Sequence, residues 1–293
     1  MATLPPLPGQ IHRFGTAASA WALARTLVPG WKKLEFSQVF HLITEFKPDL
    51  ILTLTRELDP EAVGAIRSRT RARVVHWYTD PLANLCREEL VCNPYDAVFL
   101  KDRDAAQRLR GLLGDRFHYL PEAMNPLWHK PSEPRPSYQC DVGIAGNLYP
   151  YRCRILESLL EYNIKIWGPA PPRWLRSPVL RFYTGEYVAE YTKALAFSSA
   201  TISLNTLTLR EANTINCRAF EIAGCGGYQV VEYRLIIREI MLYQNQNELK
   251  EQISRGIRDP VLNQRLRLAA AKRALAEHTY EHRLGRMLKV LYR

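Results

Sequence analysis

No window of the 293-residue chain approaches the run of ~20 apolar residues that a membrane-spanning helix needs, so no transmembrane segment is expected. The stretch from Met1 to Gly9 lacks a basic region followed by a continuous apolar run, so no secretory leader is expected and a cytoplasmic location is. The six cysteines, at 86, 92, 140, 153, 217 and 225, show no paired CxxC spacing. That speaks against a zinc ribbon or a disulfide framework and for reduced thiols. There is no GxGxxG dinucleotide fingerprint, no serine-hydrolase elbow and no metal-spaced His/Asp set, and hence no metal site is expected. Low-complexity tracts and internal repeats are absent too.

What is present describes an ordinary folded chain with unusual charge. The hydrophobic fraction of 47% and charged fraction of 24% suffice for a buried core. The net charge is +11, and from Gln252 to Arg293 ten Lys/Arg face three Asp/Glu. Such a basic end meets phosphates, nucleic acid or anionic lipid, or is a solvated helical face.

The order of elements points to two α/β units. Phe36, Val39, Phe40, Ile43 and Phe46 share a helical face. Strands are expected at 48–55, 73–78, 96–100 and 117–120. Asp59 and Pro60 should open a helix, and another should run over 104–113. Gln10–Gly15 is a candidate opening strand and Ala17–Leu27 a helix, an odd start that suggests a trimmed first domain. Pro126, Pro131, Pro134 and Pro136 mark an interdomain linker. Beyond it, strands are expected at 140–146, 164–167, 200–205 and 228–232. Helices are expected at 151–162, 188–197, 248–257, 261–277 and 282–292. Alternating strands and helices predict parallel sheets covered on both faces.

Two segments carry chemistry. Gly143-Ile-Ala-Gly146-Asn147 ends a strand and opens a helix, where small residues and free N–H groups admit a phosphate. Arg152 in that first turn opposes the helix dipole and is more readily accepted beside an anion. The second segment, Asn213 to Gly227, is a short helix between apolar strands with a polar entrance (Asn213, Thr214, Asn216) and a glycine exit. Arg218 and Glu221 lie three apart on one face, as a solvated ion pair or as a phosphate and ribose grip. Cys217 and Cys225 read as packing. Asp80, after an apolar strand and before Pro81, is a carboxylate at a strand's C-terminal edge, either a common turn residue or placed to deprotonate a hydroxyl. His76 reads as structural, with Glu122 and His129 as lesser candidates.

Taken together, Cys140-Asp-Val-Gly-Ile-Ala-Gly-Asn-Leu-Tyr-Pro-Tyr-Arg152, Asn216-Cys-Arg-Ala-Phe-Glu221, His278-Thr-Tyr-Glu-His-Arg283, Trp77-Tyr-Thr-Asp-Pro81 and Leu120-Pro-Glu-Ala-Met124 resemble the spore-maturation CgeB-like glycosyltransferases over about residues 34 to 293. The resemblance implies the GT-B architecture, two Rossmann-like domains facing a cleft. These would be an acceptor-side domain over 1–130, a linker over 131–138, a nucleotide-sugar domain over 139–275 and a last helix over 276–293 that packs back on the first domain. It also implies a donor bound without metal or tightly held cofactor. By position, Glu221 would hold the ribose, and Arg218, Arg152 and the Gly146–Asn147 turn would face the diphosphate. Asn213 and Asn216 would line the donor site, and Trp167 would border the base or serve as plain core. Asn213 stands where related transferases often carry a second glutamate, and Thr79 where they double the acid beside Asp80.

The expected function is glycosyl transfer from a nucleoside-diphosphate sugar, UDP- ahead of GDP- or TDP-, to an unknown acceptor (polysaccharide, lipid, protein or nucleic acid), an anionic one among the options. The basic C-terminal helices would add peripheral membrane or nucleic-acid contact. The rival is a nucleic-acid-binding protein on a nucleotide-binding scaffold, or an inactive transferase-like chain.

Overall fold

The structure is a computed structural model that describes residues 31–54, 58, 60–84, 89–210, 214–233 and 240–292. The expected strand at 10–15 and helix at 17–27 lie outside these residues, as does Asn213.

The first unit runs α1 (Trp31–Phe46), β1 (Leu50–Leu54), α2 (Pro60–Arg67), β2 (Arg73–Tyr78), α3 (Glu89–Cys92), β3 (Ala97–Leu100), α4 (Arg103–Leu113) and β4 (Phe117–Tyr119). Its four strands form one parallel sheet in the order β1-β2-β3-β4. Strand alternation sends Val74, Tyr78, Val98, Leu100 and Phe117 to one face, where they pack with Ile43, Val63, Ile66 and Ala106 of the preceding helices. Asp102 caps α4 by accepting from the Ala105 N–H at 2.9 Å.

The second unit contains β5 (Cys140–Ala145), α5 (Pro150–Leu156), β6 (Ile164–Trp167), α6 (Glu190–Ser199), β7 (Ala200–Asn205), α7 (Cys217–Gly224), β8 (Gln229–Glu232), β9 (Met241–Tyr243), α8 (Gln246–Arg258), α9 (Pro260–Glu277) and α10 (Tyr280–Leu291). Its sheet is parallel in the order β6-β5-β7-β8-β9. The chain moves outward from β5 to β6, then returns to the other side of β5 as β7. The crevice beyond the C-terminal ends of β5 and β7 is therefore a topological switch point, where open α/β sheets bind ligands.

The structure departs from the sequence reading in several places, among them the unexpected short helix α3 and the two that follow. The helix expected over 151–162 stops at Leu156 and tightens into a 3-10 turn, Glu157–Leu159. The edge strand β9 was not expected; it is three residues long and precedes the Asn245 cap of α8.

The linker is anchored to the second unit. The Ser132 and Arg135 N–H groups donate to the hydroxyls of Ser198 and Ser199, at 3.1 and 2.9 Å. Among the described residues, the second face of the first sheet is covered by the last helix. Met287 is fully buried among Val75, Trp77, Phe99 and Leu120, with Val290 and Leu291 beside it. Arg283, also fully buried, donates to the Pro121 and Glu122 carbonyls, and the Tyr292 hydroxyl to the Asp49 carbonyl at 2.9 Å. His76 is equally enclosed. Its Nδ1 lies 2.7 Å from the Thr53 hydroxyl, its ring stacks on Tyr95, and burial lowers its pKa to about 4, so it is a neutral core residue. No helix among the described residues is long and apolar enough to cross a membrane.

If α10 is a structural layer of the first unit, Met287→Ala should cost about 2–5 kcal/mol. Urea unfolding followed by tryptophan fluorescence measures this; a loss below about 0.5 kcal/mol would show the helix to be dispensable.

Candidate active site

Gly146 ends β5 with φ of +132°, a conformation that favours glycine, and its N–H donates to the Trp167 carbonyl at 2.8 Å. A Cβ on Gly168 would meet the Gly146 carbonyl oxygen at 2.5 Å, so the ends of β5 and β6 touch through backbone. A Cβ on Gly146 would run into the Arg218 guanidinium and lie 3.3 Å from Arg152 Nη1. The two guanidiniums therefore flank this turn. Both lie within 3.1–3.3 Å of one point, so their facing atoms are at most about 6.4 Å apart. Among the described residues, neither has a carboxylate within 4 Å.

Arg152 is not on the surface of the turn. It is 4% exposed; its Nε donates to the Thr206 hydroxyl at 2.6 Å, its Nη2 to the Thr206 carbonyl at 3.2 Å, and its Nη1 to the Asn147 carbonyl. Burial, and then the charge of Arg218, hold its pKa down to about 9. Arg218 is half-buried and donates to Asn205 Oδ1 at 3.4 Å. Asn205 and Asn216 exchange two amide hydrogen bonds, at 3.1 and 3.2 Å. Asn216 is the N-cap of α7, accepting from the Ala219 N–H at 3.3 Å. The Asn147 side chain donates to the Tyr149 hydroxyl at 2.8 Å. Asn205 and Thr206 were not singled out from the sequence; their signal is a polar pair closing an otherwise apolar strand.

Arg218 and Glu221 do not form the surface ion pair that their spacing allows. Glu221 is 8% exposed and turns to the other side, where Lys193 Nζ lies 3.0 Å from both carboxylate oxygens. His129 Nε2 lies 3.6 Å from Oε1. The Asn125 N–H donates to His129 Nδ1 at 3.1 Å, which puts the ring proton on Nε2, facing the carboxylate. Burial first, then the Lys193 charge, push the His129 pKa down, and Glu221 opposes them. Lys193 came from no sequence pattern; it belongs to α6 and meets Glu221 only through the fold.

The first sheet faces the same region. Thr214 donates to the Lys101 carbonyl, after β3, at 3.1 Å, and Arg210 donates to Asn84 at 2.5 Å. Asn84 follows Asp80 in the loop after β2, where Asp80 is half-buried. Lys101 and Glu122 pair at 3.5 Å, both largely buried. Burial, then the carboxylates of Glu122 and Glu221 on either side, raise the Cys217 thiol far above its ordinary range. Acidic groups from the two units thus meet around the start of α7.

Of its two readings, Trp167 takes the core one. It is 1% exposed, packs with Tyr138 at 5.9 Å and lies over Gly143, where a Cβ would be 3.0 Å from its ring. The ring fills the space left by a glycine in the core between β5 and α6, so it is not available to border a base.

Residues 152–289 match the family model described as glycosyl transferase-like. The chain is 22% identical over 273 residues to the spore protein CgeB of Bacillus subtilis (strain 168), spanning 85% of this chain and 84% of that protein. Over these spans the chain is similar to a glycosyl transferase-like model and to the CgeB protein. Among solved structures, a UDP-forming α,α-trehalose-phosphate synthase from Burkholderia xenovorans superposes with a TM-score of 0.63 at 12% identity, covering 95% of this chain and 80% of that one. HepE from Anabaena, solved in complex with UDP, gives 0.61 at 13% identity, covering 94% and 89%. The fold is GT-B.

The geometry around His129 makes a pH prediction. Its imidazole should titrate below 6.5, with the midpoint moving up in Lys193→Met and further down in Glu221→Gln, read by NMR of the ring protons. Because the unfolded chain takes this proton more readily, acidification through 6.5 should destabilise the fold. An unshifted midpoint in both variants would separate His129 from the pair.

Proposed function

We propose that the chain transfers a glycosyl group from a nucleoside-diphosphate sugar, with UDP ahead of GDP and TDP as carrier, to a hydroxyl acceptor. The observation that carries this is the unbalanced cation pair: two guanidiniums without a carboxylate, held against a glycine turn at the switch point and beside the capped start of α7. Such a place suits a diphosphate, whose charge grows as the sugar–phosphate bond breaks. Arg218 and the Gly146–Asn147 turn would receive the phosphate oxygens. Arg152, from beneath, would keep the turn shaped and add field. Asn216 would fix the start of α7 and, through Asn205, the reach of Arg218.

Glu221 and Lys193 would hold the ribose diol, the carboxylate accepting and the ammonium donating. Asp80, at the C-terminal edge of the facing sheet, would take the acceptor proton. With arginines supplying the positive charge, the proposed reaction does not require a divalent metal. The acceptor is left as a hydroxyl compound, free or on a polysaccharide, lipid, protein or nucleic acid.

The test is a thermal-shift screen with UDP, GDP, TDP and their sugars, followed by turnover. A carrier at ~100 times its Kd should stabilise by about 2.7 kcal/mol. Asp80→Asn should keep that shift and lose at least about 100-fold in turnover. Glu221→Gln should weaken UDP and uridine together by roughly 10-fold, the size of one charged hydrogen bond. No shift with any nucleoside diphosphate would overturn the reading.

A further inference from the structure

At the opposite end of the first sheet from the cleft lies a cavity of about 570 Å³. It is bordered by the end of α1, the start of β1 and the turn that joins α2 to β2. That turn carries arginine at every second position, Arg67, Arg69, Arg71 and Arg73. The cavity is lined by Lys47, Arg69, Arg71 and Arg73 against a single carboxylate, Asp49, and Tyr292 closes one side.

Three of these arginines have structural work. Arg67 and Arg73 share Asp96, at 3.1 and 3.5 Å. Arg69 donates to the Ala65 carbonyl at 2.9 Å and lies 4.4 Å from the Phe40 ring centre. Arg71 has no such task, and among the described residues neither it nor Lys47 has a carboxylate within 4 Å. Lys47 sits at the C-terminal end of α1, where a cation is favourable in its own right. Arg71 has no comparable reason. Asp49 makes no ion pair with any of them; its carbonyl accepts from the Arg73 N–H at 3.0 Å and from the Tyr292 hydroxyl. Four exposed cations, one of them (Arg73) already paired with Asp96, thus line a space of ligand size with one carboxylate in its wall.

We propose that this cavity is a second anion site, separate from the cleft, that takes a phosphate group carried on a chain of such groups. A guanidinium presents paired donors to phosphate oxygens, and Lys47 adds a point charge from the opposite wall. The site does not depend on glycosyl transfer, and it would hold a phosphate polymer on the first unit away from the reacting groups.

The probe is fluorescently labelled inorganic polyphosphate, followed by anisotropy across a salt series. The double variant Lys47→Ala with Arg71→Ala is compared with Arg286→Ala with Lys289→Ala. The second pair removes the same charge from exposed α10 positions, also with no carboxylate within 4 Å among the described residues. The first double variant should bind at least about 10-fold more weakly and lose about two units of the log–log salt slope, roughly one for each phosphate contact. The second should stay near the native value. Equal weakening by both would mean general attraction to a chain of charge +11, and no change in either would empty the cavity of its role; each overturns the proposal. Unlabelled pyrophosphate distinguishes the source: displacement of the label assigns the site to a free phosphate group, retention to the polymer. An unaltered UDP thermal shift in the first double variant keeps this result independent of the donor site.

Discussion

Two positive charges that repel each other are held together at the mouth of the second sheet, and the rest of the site is arranged around them. At no more than about 6 Å and an effective dielectric of 20, such a pair costs on the order of 3 kcal/mol or more. Arg152 is fixed by Thr206 and the Asn147 carbonyl, so it cannot turn outward to solvent. Arg218 is tied to Asn205, which the Asn216 cap holds in turn. Gly146 leaves no side chain to separate the guanidiniums from whatever enters the turn. Under the proposed function, the anion that enters the turn would relieve this repulsion.

The architecture brings the second carboxylate system to the same place. Reversal of strand order between β5 and β7 opens the crevice, and α7 starts directly above it. Glu221, one turn into α7, is turned away from the arginines and held by Lys193 and His129. The charges are therefore sorted into a cationic side and a carboxylate side, an arrangement that would complement a diphosphate linked to a diol-bearing sugar. The last helix returns to the first sheet through Met287 and Arg283, so the two walls of the cleft share one structural member.

Much of this was legible in the residues. Arg73–Tyr78, Ile164–Trp167 and Ala200–Asn205 were read with their observed bounds, because each is an apolar β-rich run closed by turn residues. Asn216, Arg218 and Glu221 stood out because polar groups crowd an otherwise apolar strand–helix–strand unit, and Gly146 because small residues close a strand just before a helix. The partners were not legible. Lys193 is one charge on an ordinary helix, and His129 lies in a proline-rich stretch; only tertiary contact joins them to Glu221. The burial of Arg152 follows from Thr206, 54 residues away. Trp167 looked like a strand-end aromatic, and what decides otherwise is Gly143 on the neighbouring strand, which leaves a hole of its size. The strand β9 escaped notice because three residues carry too little periodicity to be seen.

If Arg152 and Arg218 are a strained pair that a diphosphate relieves, the variant Arg218→Met reveals it. Methionine keeps much of the length and removes the charge. Differential scanning fluorimetry of the ligand-free variant should show a melting temperature above that of the native chain, and UDP should no longer raise it. A variant that melts lower without ligand and still responds fully to UDP would contradict the account.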